Sequence, residues 1–169
     1  MTMLEDRRAA DIERLLAAVR QTMAKVAICW AATPAANGDV SVRVVEPIGV
    51  APDEEWTIFF ATSARSRKAK EIKRAGRLML GYQHHPDRSY VALYGRAALT
   101  VERSVIRAHW REPWRVYFPG GPDDANLVIV RLIVDRIELC VPGVAPEPFG
   151  SGHVTVAREA AGAWTIAAN

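Results

Sequence analysis

Apolar residues recur along the chain with two different periods. Over residues 5–24, Ile12, Leu15, Leu16, Val19 and Met23, with Leu4 just before them, fall on one side of a helix and Arg and Glu on the other. That spacing predicts an amphipathic α-helix. From residue 25 onward the pattern becomes strand-like. "KVAICWAAT" (25–33), "DVSVRVVEPIG" (39–49) and "EWTIFFATS" (55–63) read as three strands, the first two joined by Asn37-Gly38, a strong hairpin signal. In the second strand Val40, Val42 and Val44 alternate with Ser41, Arg43 and Val45. A Ser-rich turn and a basic helix over about 64–75, closed by Gly76, follow. "RLMLGYQHH" (77–85) and "SYVALYGRAALTVER" (89–103) predict a strand pair around Pro86-Asp87. Residues 104–118 suggest a short helix and a turn, 120–126 a loop, and 127–141 a long strand. "HVTVAR" and "AWTIAA" predict a closing hairpin around Ala161-Gly162.

Many strands and only short helices favour an antiparallel β-barrel over a βαβ sheet. The expected organisation is one domain over 1–169: an N-terminal helix (1–24), a barrel (25–141) and a C-terminal extension (142–169). Neither a dinucleotide fingerprint nor a phosphate-binding Gly/Lys loop is present.

Composition adds bounds. The chain has 169 residues, half of them hydrophobic, enough for one domain with a proper core. A net charge of +3 is too mild for a protein devoted to nucleic acid. Cys29 and Cys140 lie far apart in apolar runs and read as buried free thiols, which fits a reducing, cytoplasmic setting. The N-terminus is charged from Glu5 onward and lacks an apolar signal core. "VAICWAA" ends at Pro34, well short of the roughly 20 residues a membrane span needs. A soluble protein is expected.

The segment "TSARSRKAKEIKRAG" (62–76) carries Arg65, Arg67, Lys68, Lys70, Lys73 and Arg74 against the single acid Glu71. A solvated helix face is the ordinary reading of such a run. Position argues otherwise. Arg67 and Lys68 fall in the first helical turn, where the positive end of the helix dipole disfavours cations. With the hydroxyls of Thr62, Ser63 and Ser66 and the free backbone N–H groups, they suit a phosphate. Arg43 lies mid-strand; taken alone it is a surface arginine, but beside strand 55–63 it would reach the same phosphate as Lys68.

Other candidates weigh less. His84 and His85 are adjacent, so in a strand they face opposite ways and cannot share a metal; His109 and His153 lack partners at ligand spacing. No metal site is expected. Asp123-Asp124 are most simply solvated. Trp110, Trp114, Tyr117 and Phe118 form an aromatic cluster beside Arg111 and Arg115, by default core or interface, and alternatively a stacking surface for a flat ligand.

The order "VSVRVVEPIG", "WTIFFATSARSRKAKEI", "YVALYGRAALT", "YFPGG" and a late strand ending "IEL" resembles the pyridoxamine-5′-phosphate-oxidase-like FMN-binding split barrels, in the general-stress-protein 26-like branch. The likeness spans about residues 10–140. Its most specific part is the Arg-x-Val strand followed by Thr-Ser-x-x-Ser-Arg-Lys. The resemblance implies a mainly β fold with flanking helices, an antiparallel six-stranded split β-barrel, and FMN in a groove between two protomers of a homodimer. Carried over, Arg43, Lys68 and Arg67 with a hydroxyl of Thr62 or Ser63 would hold the phosphate, and the backbone of Val44 and Val45 would run along the isoalloxazine edge. Tyr90 stands where the true oxidases commonly carry Gln, and Trp110 where the branch carries Trp. The Arg/His-rich C-terminal segment with which the true oxidases grip their substrate has no counterpart here, so authentic pyridoxamine-phosphate oxidation is not expected.

The resulting expectation is a dimeric flavoprotein, an oxidoreductase acting on a small molecule, with no residue singled out as acid or base. Its rivals are a deazaflavin-dependent reductase, a flavin-binding or storage protein without turnover, and a nucleic-acid binder that uses the basic helix.

Overall fold

A computed structural model describes residues 3–48, 56–148, 150–159 and 162–167. Three α-helices and eight strands follow in the order α1 (Met3–Ala24), β1 (Cys29–Pro34), β2 (Val40–Val45), β3 (Thr57–Ser63), α2 (Arg67–Ala75), β4 (Arg77–His84), β5 (Ser89–Thr100), α3 (Arg103–His109), β6 (Leu127–Cys140), β7 (Val154–Arg158) and β8 (Trp164–Ile166). The sheet order is β2-β1-β4-β5-β6-β7-β8, with β3 paired separately to β6. The sheet has eight strands where six were expected for the barrel, and β7 and β8 are the predicted closing hairpin. Residue 161 of its turn and residue 49 at the end of the second predicted strand lie outside the described residues, as does the side chain of Leu4.

Contacts group the chain into two compact units. A terminal unit takes in residues 1–30, 80–94 and 135–169, and a central unit residues 31–79 and 95–134. In the central unit β3 runs antiparallel to β6, from Thr57 opposite Ile133 to Ser63 opposite Leu127. Thr57, Ile58, Phe59 and Phe60 are all buried, as are Leu127, Val128, Ile129 and Val130 on β6, so both faces of this pair are covered. That explains why these stretches read as continuous apolar runs and not as alternation. Beyond β2 the chain returns to β3 through a bridge in which the Ile48 N–H donates to the Phe59 carbonyl at 2.6 Å. Ile48 and Phe59 join Ile106 of α3, Trp114, Phe118, Leu127 and Ile129 in one buried cluster. Gly95 is dictated by proximity: a β-carbon there would stand 2.0 Å from the Ile133 carbonyl oxygen, inside any permitted contact.

β2 reverses the expected polarity. Val40, Val42 and Val44 point outward at 66%, 51% and 54% exposure, while Ser41 and Arg43 turn inward. The surface arginine that position alone suggested is a part-buried one, for a reason given below.

In the terminal unit α1 buries Leu15, Leu16 and Val19, three of the residues its periodicity nominated. β6, β7 and β8 form an antiparallel meander, with Ile137 opposite Val156 and Val156 opposite Ile166. Both cysteines are free and buried. Burial pushes the Cys29 thiol up to about 12. Among the described residues no helix is long and apolar enough to cross a membrane.

Candidate functional site

The site is built where β3 ends and α2 begins. Ser66 caps the helix, its hydroxyl accepting from the Ala69 N–H at 3.2 Å, and Gly76 closes it in the left-handed conformation, its N–H donating to the Ile72 carbonyl at 2.8 Å. The cap fixes where the first turn points. Lys68 bends back so that its ammonium donates to the Thr62 hydroxyl at 3.1 Å, and Thr62 and Ser66 share a hydroxyl contact of 3.3 Å. Among the described residues no carboxylate lies within ion-pair distance of Lys68. Burial, and secondarily the Arg43 charge, lower its pKa from the ordinary lysine value. A part-buried ammonium beside a second cation is an arrangement that an anion would stabilise.

Loop 120–126 completes this corner. Asp124 accepts from the Gly120 N–H at 3.1 Å and the Asn126 N–H at 2.9 Å, and these bonds hold its carboxyl below the usual range. Asp124 is thus a loop organiser and not merely solvated. The loop it shapes presents the Asn126 amide oxygen to the Ser63 hydroxyl at 3.0 Å, while the Asn126 carbonyl accepts from the Ala64 N–H at 2.8 Å.

Behind Lys68 lies a buried ion pair. Glu71, 7% exposed, accepts from Arg43 Nη2 at 2.7 Å, from the Ser41 hydroxyl at 2.7 Å and from the Thr33 hydroxyl. The other Arg43 nitrogen, Nη1, donates to Thr33 and to the carbonyls of Ser41 (2.8 Å) and Ala31 (3.3 Å). Burial alone would raise the Glu71 carboxyl, but the bonds from Thr33, Ser41 and Arg43 outweigh it and bring the group down to about 2. This network turns Arg43 inward and sets the inverted polarity of β2. As the lone acid of a basic run Glu71 stands out in the pattern of residues, but nothing there announces its burial.

A cleft of about 570 Å³ opens onto these groups. Thr62, Ser63, Ser66, Lys68 and Asn126 line its polar end, and Val44, Ala61, Trp114, Tyr117 and Phe118 its apolar side. Glu46 stands on the rim, paired with Arg111 at 3.0 Å. The volume is in the range of small-molecule pockets, and the division into one polar end and one aromatic side suits a flat ligand with an anionic group.

Of the residues nominated from sequence, Val44, Thr62, Ser63 and Lys68 are brought together in the cleft wall. Val45 is buried beside Val44. Arg43 adjoins Lys68 electrostatically but spends its hydrogen bonds on the Glu71 network. Arg67, 70% exposed along its side chain, faces away and comes within 3.7 Å of Glu71 Oε1. Trp110 stacks edge-on against Trp114 at 5.9 Å and donates from Nε1 to Glu112; Trp114, not Trp110, reaches the cleft. Tyr90 belongs to the terminal unit and lines a different cavity. Asn126 was missed because an Asn in a Gly/Asp-rich loop reads as turn chemistry. Among the described residues no group of three His, Cys, Asp or Glu is placed to hold a metal ion.

At a strand–helix junction of a mainly antiparallel sheet lies a cleft lined by a lysine, several hydroxyls and aromatic rings. Residues 15–139 match the family described as "pyridoxamine 5′-phosphate oxidase like", and the chain belongs to that family. No curated protein matches the chain by sequence. Among solved structures it is similar to a protein from Clostridium acetobutylicum related to general stress protein 26 of B. subtilis (TM-score 0.70, 14% identity, covering 86% of this chain and 95% of that one). It is also similar to a pyridoxamine 5′-phosphate oxidase-related, FMN-binding protein from Nostoc punctiforme (TM-score 0.64, 16% identity, 93% and 95% covered). A third likeness is to PhzG from Burkholderia lata, solved with tetrahydrophenazine-1-carboxylic acid (TM-score 0.63, 17% identity, 92% and 88% covered). At these identities the likeness is one of fold, the split barrel, with six barrel strands here and a two-stranded C-terminal hairpin.

Proposed function

We propose that this protein binds FMN in the cleft of its central unit and is an oxidoreductase acting on a small molecule. The observation that carries the reading is Lys68, a part-buried ammonium held by a threonine hydroxyl at a helix start, with no acid to neutralise it among the described residues. A flavin phosphate supplies that missing charge. Lys68, the hydroxyls of Thr62, Ser63 and Ser66 and the Asn126 side chain would hold the phosphate end, and Val44, Trp114 and Tyr117 the ring. Arg43 would act from behind as a fixed positive charge, positioned by Glu71. When bound, the flavin supplies the hydride or electron transfer; the protein binds it, orients it and excludes water from it.

A homodimer belongs to the same reading. Val40, Val42 and Val44 of β2 are exposed, as are Val116 and Tyr117 at 76% and 75%, an apolar surface that a second protomer would cover beside the cleft.

The test is comparative binding of FMN and riboflavin by fluorescence quenching, followed by reduction of the flavin-loaded protein under a panel of acceptors. FMN should bind tighter on the order of tenfold or more, since riboflavin leaves the charge-assisted bonds unmade. Equal affinities would remove the phosphate assignment. Tight binding with no acceptor reduced would favour a flavin carrier over an enzyme.

A further inference from the structure

The solvent side of α2 is lined with cations. Arg67, Lys70, Lys73 and Arg74 are all exposed, while Glu71, the one acid of the helix, is buried and bonded by Arg43, Ser41 and Thr33. Arg67 comes within 3.7 Å of Glu71 Oε1, a carboxylate already shared among three donors. Arg74 donates to the Pro34 carbonyl, a contact that fixes the side chain and leaves its charge uncompensated. Asp39, in the hairpin that Pro34 enters, is bonded by Asn37 at 2.6 Å. Among the described residues the ammonium groups of Lys70 and Lys73 have no partner.

The helical spacing sets these charges against one another. Arg67 with Lys70, Lys70 with Lys73, and Lys70 with Arg74 are three or four residues apart and so adjoin on the helix surface, where like charges repel. The flavin reading accounts for Lys68 but not for this stripe, because Arg67 faces away from the cleft and neither Lys70 nor Lys73 lines it. We infer that the exposed face of α2 is a docking surface for the acidic face of another protein, held in a transient contact. Other polyanions fit less well. An anionic membrane calls for apolar side chains that insert, and the one large apolar residue of the helix, Ile72, is buried. A single nucleic-acid strand calls for rings on which bases stack, and α2 has none. A duplex calls for a broad basic footprint, against which a nine-residue helix in a chain of net charge +3 is small. Carboxylates at helical spacing need only the cations that are present. A contact of this kind, without an apolar core, is weak and sensitive to salt. The inference concerns side chains outside the cleft and holds whether or not the cleft takes a flavin.

A fluorescently labelled polyglutamate peptide is the probe, titrated by anisotropy against the whole chain at low and at physiological salt. Binding should be saturable and should weaken on the order of tenfold at the higher salt. The double substitution Lys70→Gln with Lys73→Gln should weaken it on the order of tenfold, whereas Lys68→Ala should hold the peptide within about twofold of the parent chain. Relief of the repulsion means the double variant should melt no lower than the parent, so its loss of binding cannot come from unfolding. A single-stranded oligonucleotide, a duplex of matched charge and phosphatidylglycerol vesicles serve as competitors, and each should bind more weakly than polyglutamate. Absence of saturable peptide binding, its survival in the double variant, its loss in Lys68→Ala, or tighter binding of any competitor would each overturn the proposal.

Discussion

Helix α2 carries Arg67 and Lys68 in its first turn and Lys73 and Arg74 in its last. By composition the two ends look alike. At the C-terminal end the cations sit where the helix dipole favours them, and Arg74 donates to the Pro34 carbonyl. At the N-terminal end Lys68 sits against the dipole, part-buried and next to Arg43. Between them Glu71 is buried and neutralises Arg43 but not Lys68. One basic run therefore contains cations placed for stability and a cation whose placement works against it. The difference teaches that charge in a sequence becomes informative once its position on the helix is known.

The comparison can be broken most forcefully at its midpoint. Glu71→Ala should destabilise the fold by about 3 kcal/mol, because it strands a part-buried guanidinium; chemical denaturation measures this. The same carboxyl gives a pH signature. Its folded value of about 2 lies below the ordinary 4.5, so its contribution is complete above pH 4.5 and is lost as pH falls from there through about 2. Melting curves of the parent chain should decline across that window, and those of Glu71→Gln should decline less; parallel curves would show that Glu71 is not the group being protonated.

Next in size is Lys68→Ala, expected to weaken FMN binding on the order of tenfold to a hundredfold while leaving the fold intact or slightly more stable, as befits a cation that opposes the dipole. A dilution series in the ultracentrifuge, with and without FMN, tests whether the exposed valines of β2 and the cleft act together. FMN should shift the equilibrium toward dimer, and a monomer that holds FMN at full affinity would separate the two.

Gly76→Ala probes the other end. With φ at 63° an alanine is strained, and a loss of about 1 kcal/mol without change in ligand affinity is expected. Smallest of all, Lys73→Ala should alter neither property measurably. If it weakens FMN binding as Lys68→Ala does, the helix acts through diffuse charge and the contrast between its ends collapses.

Much of this was legible in advance. The existence and order of the strands, the Asn37-Gly38 hairpin, the capped basic helix and the closing hairpin follow from period, turn chemistry and capping, which are local properties, whereas the first strand begins at Cys29 and not at residue 25. Lys68, Thr62 and Ser63 were legible for the same reason, since a strand end and a helix start bring them together without help from distant residues. Arg43 and Trp110 were nominated as cofactor contacts, but their side chains answer to partners 28 residues away (Glu71) and 2 residues away (Glu112) that no periodicity reveals. The outward valines of β2 belong to the same class: alternation shows that two faces differ, and only the buried Glu71 decides which face turns in. Asn126 depends on a loop whose shape is set by Asp124, which sequence pattern leaves open.

The two buried thiols have a practical consequence for anyone wishing to attach a probe. At pH 8 a thiol with a pKa of about 12 is ionised to only about one part in ten thousand, and only the thiolate reacts with maleimides. Cys29 is therefore silent by chemistry, whereas Cys140 lines a cavity. A Val42→Cys substitution on the open face of β2, made with Cys140 replaced by Ser, would then take up a spin label or fluorophore selectively, with Cys29 left in place. Paired labels at that position would report the distance between β2 strands of two protomers, and so turn the question of assembly into a length measured in solution.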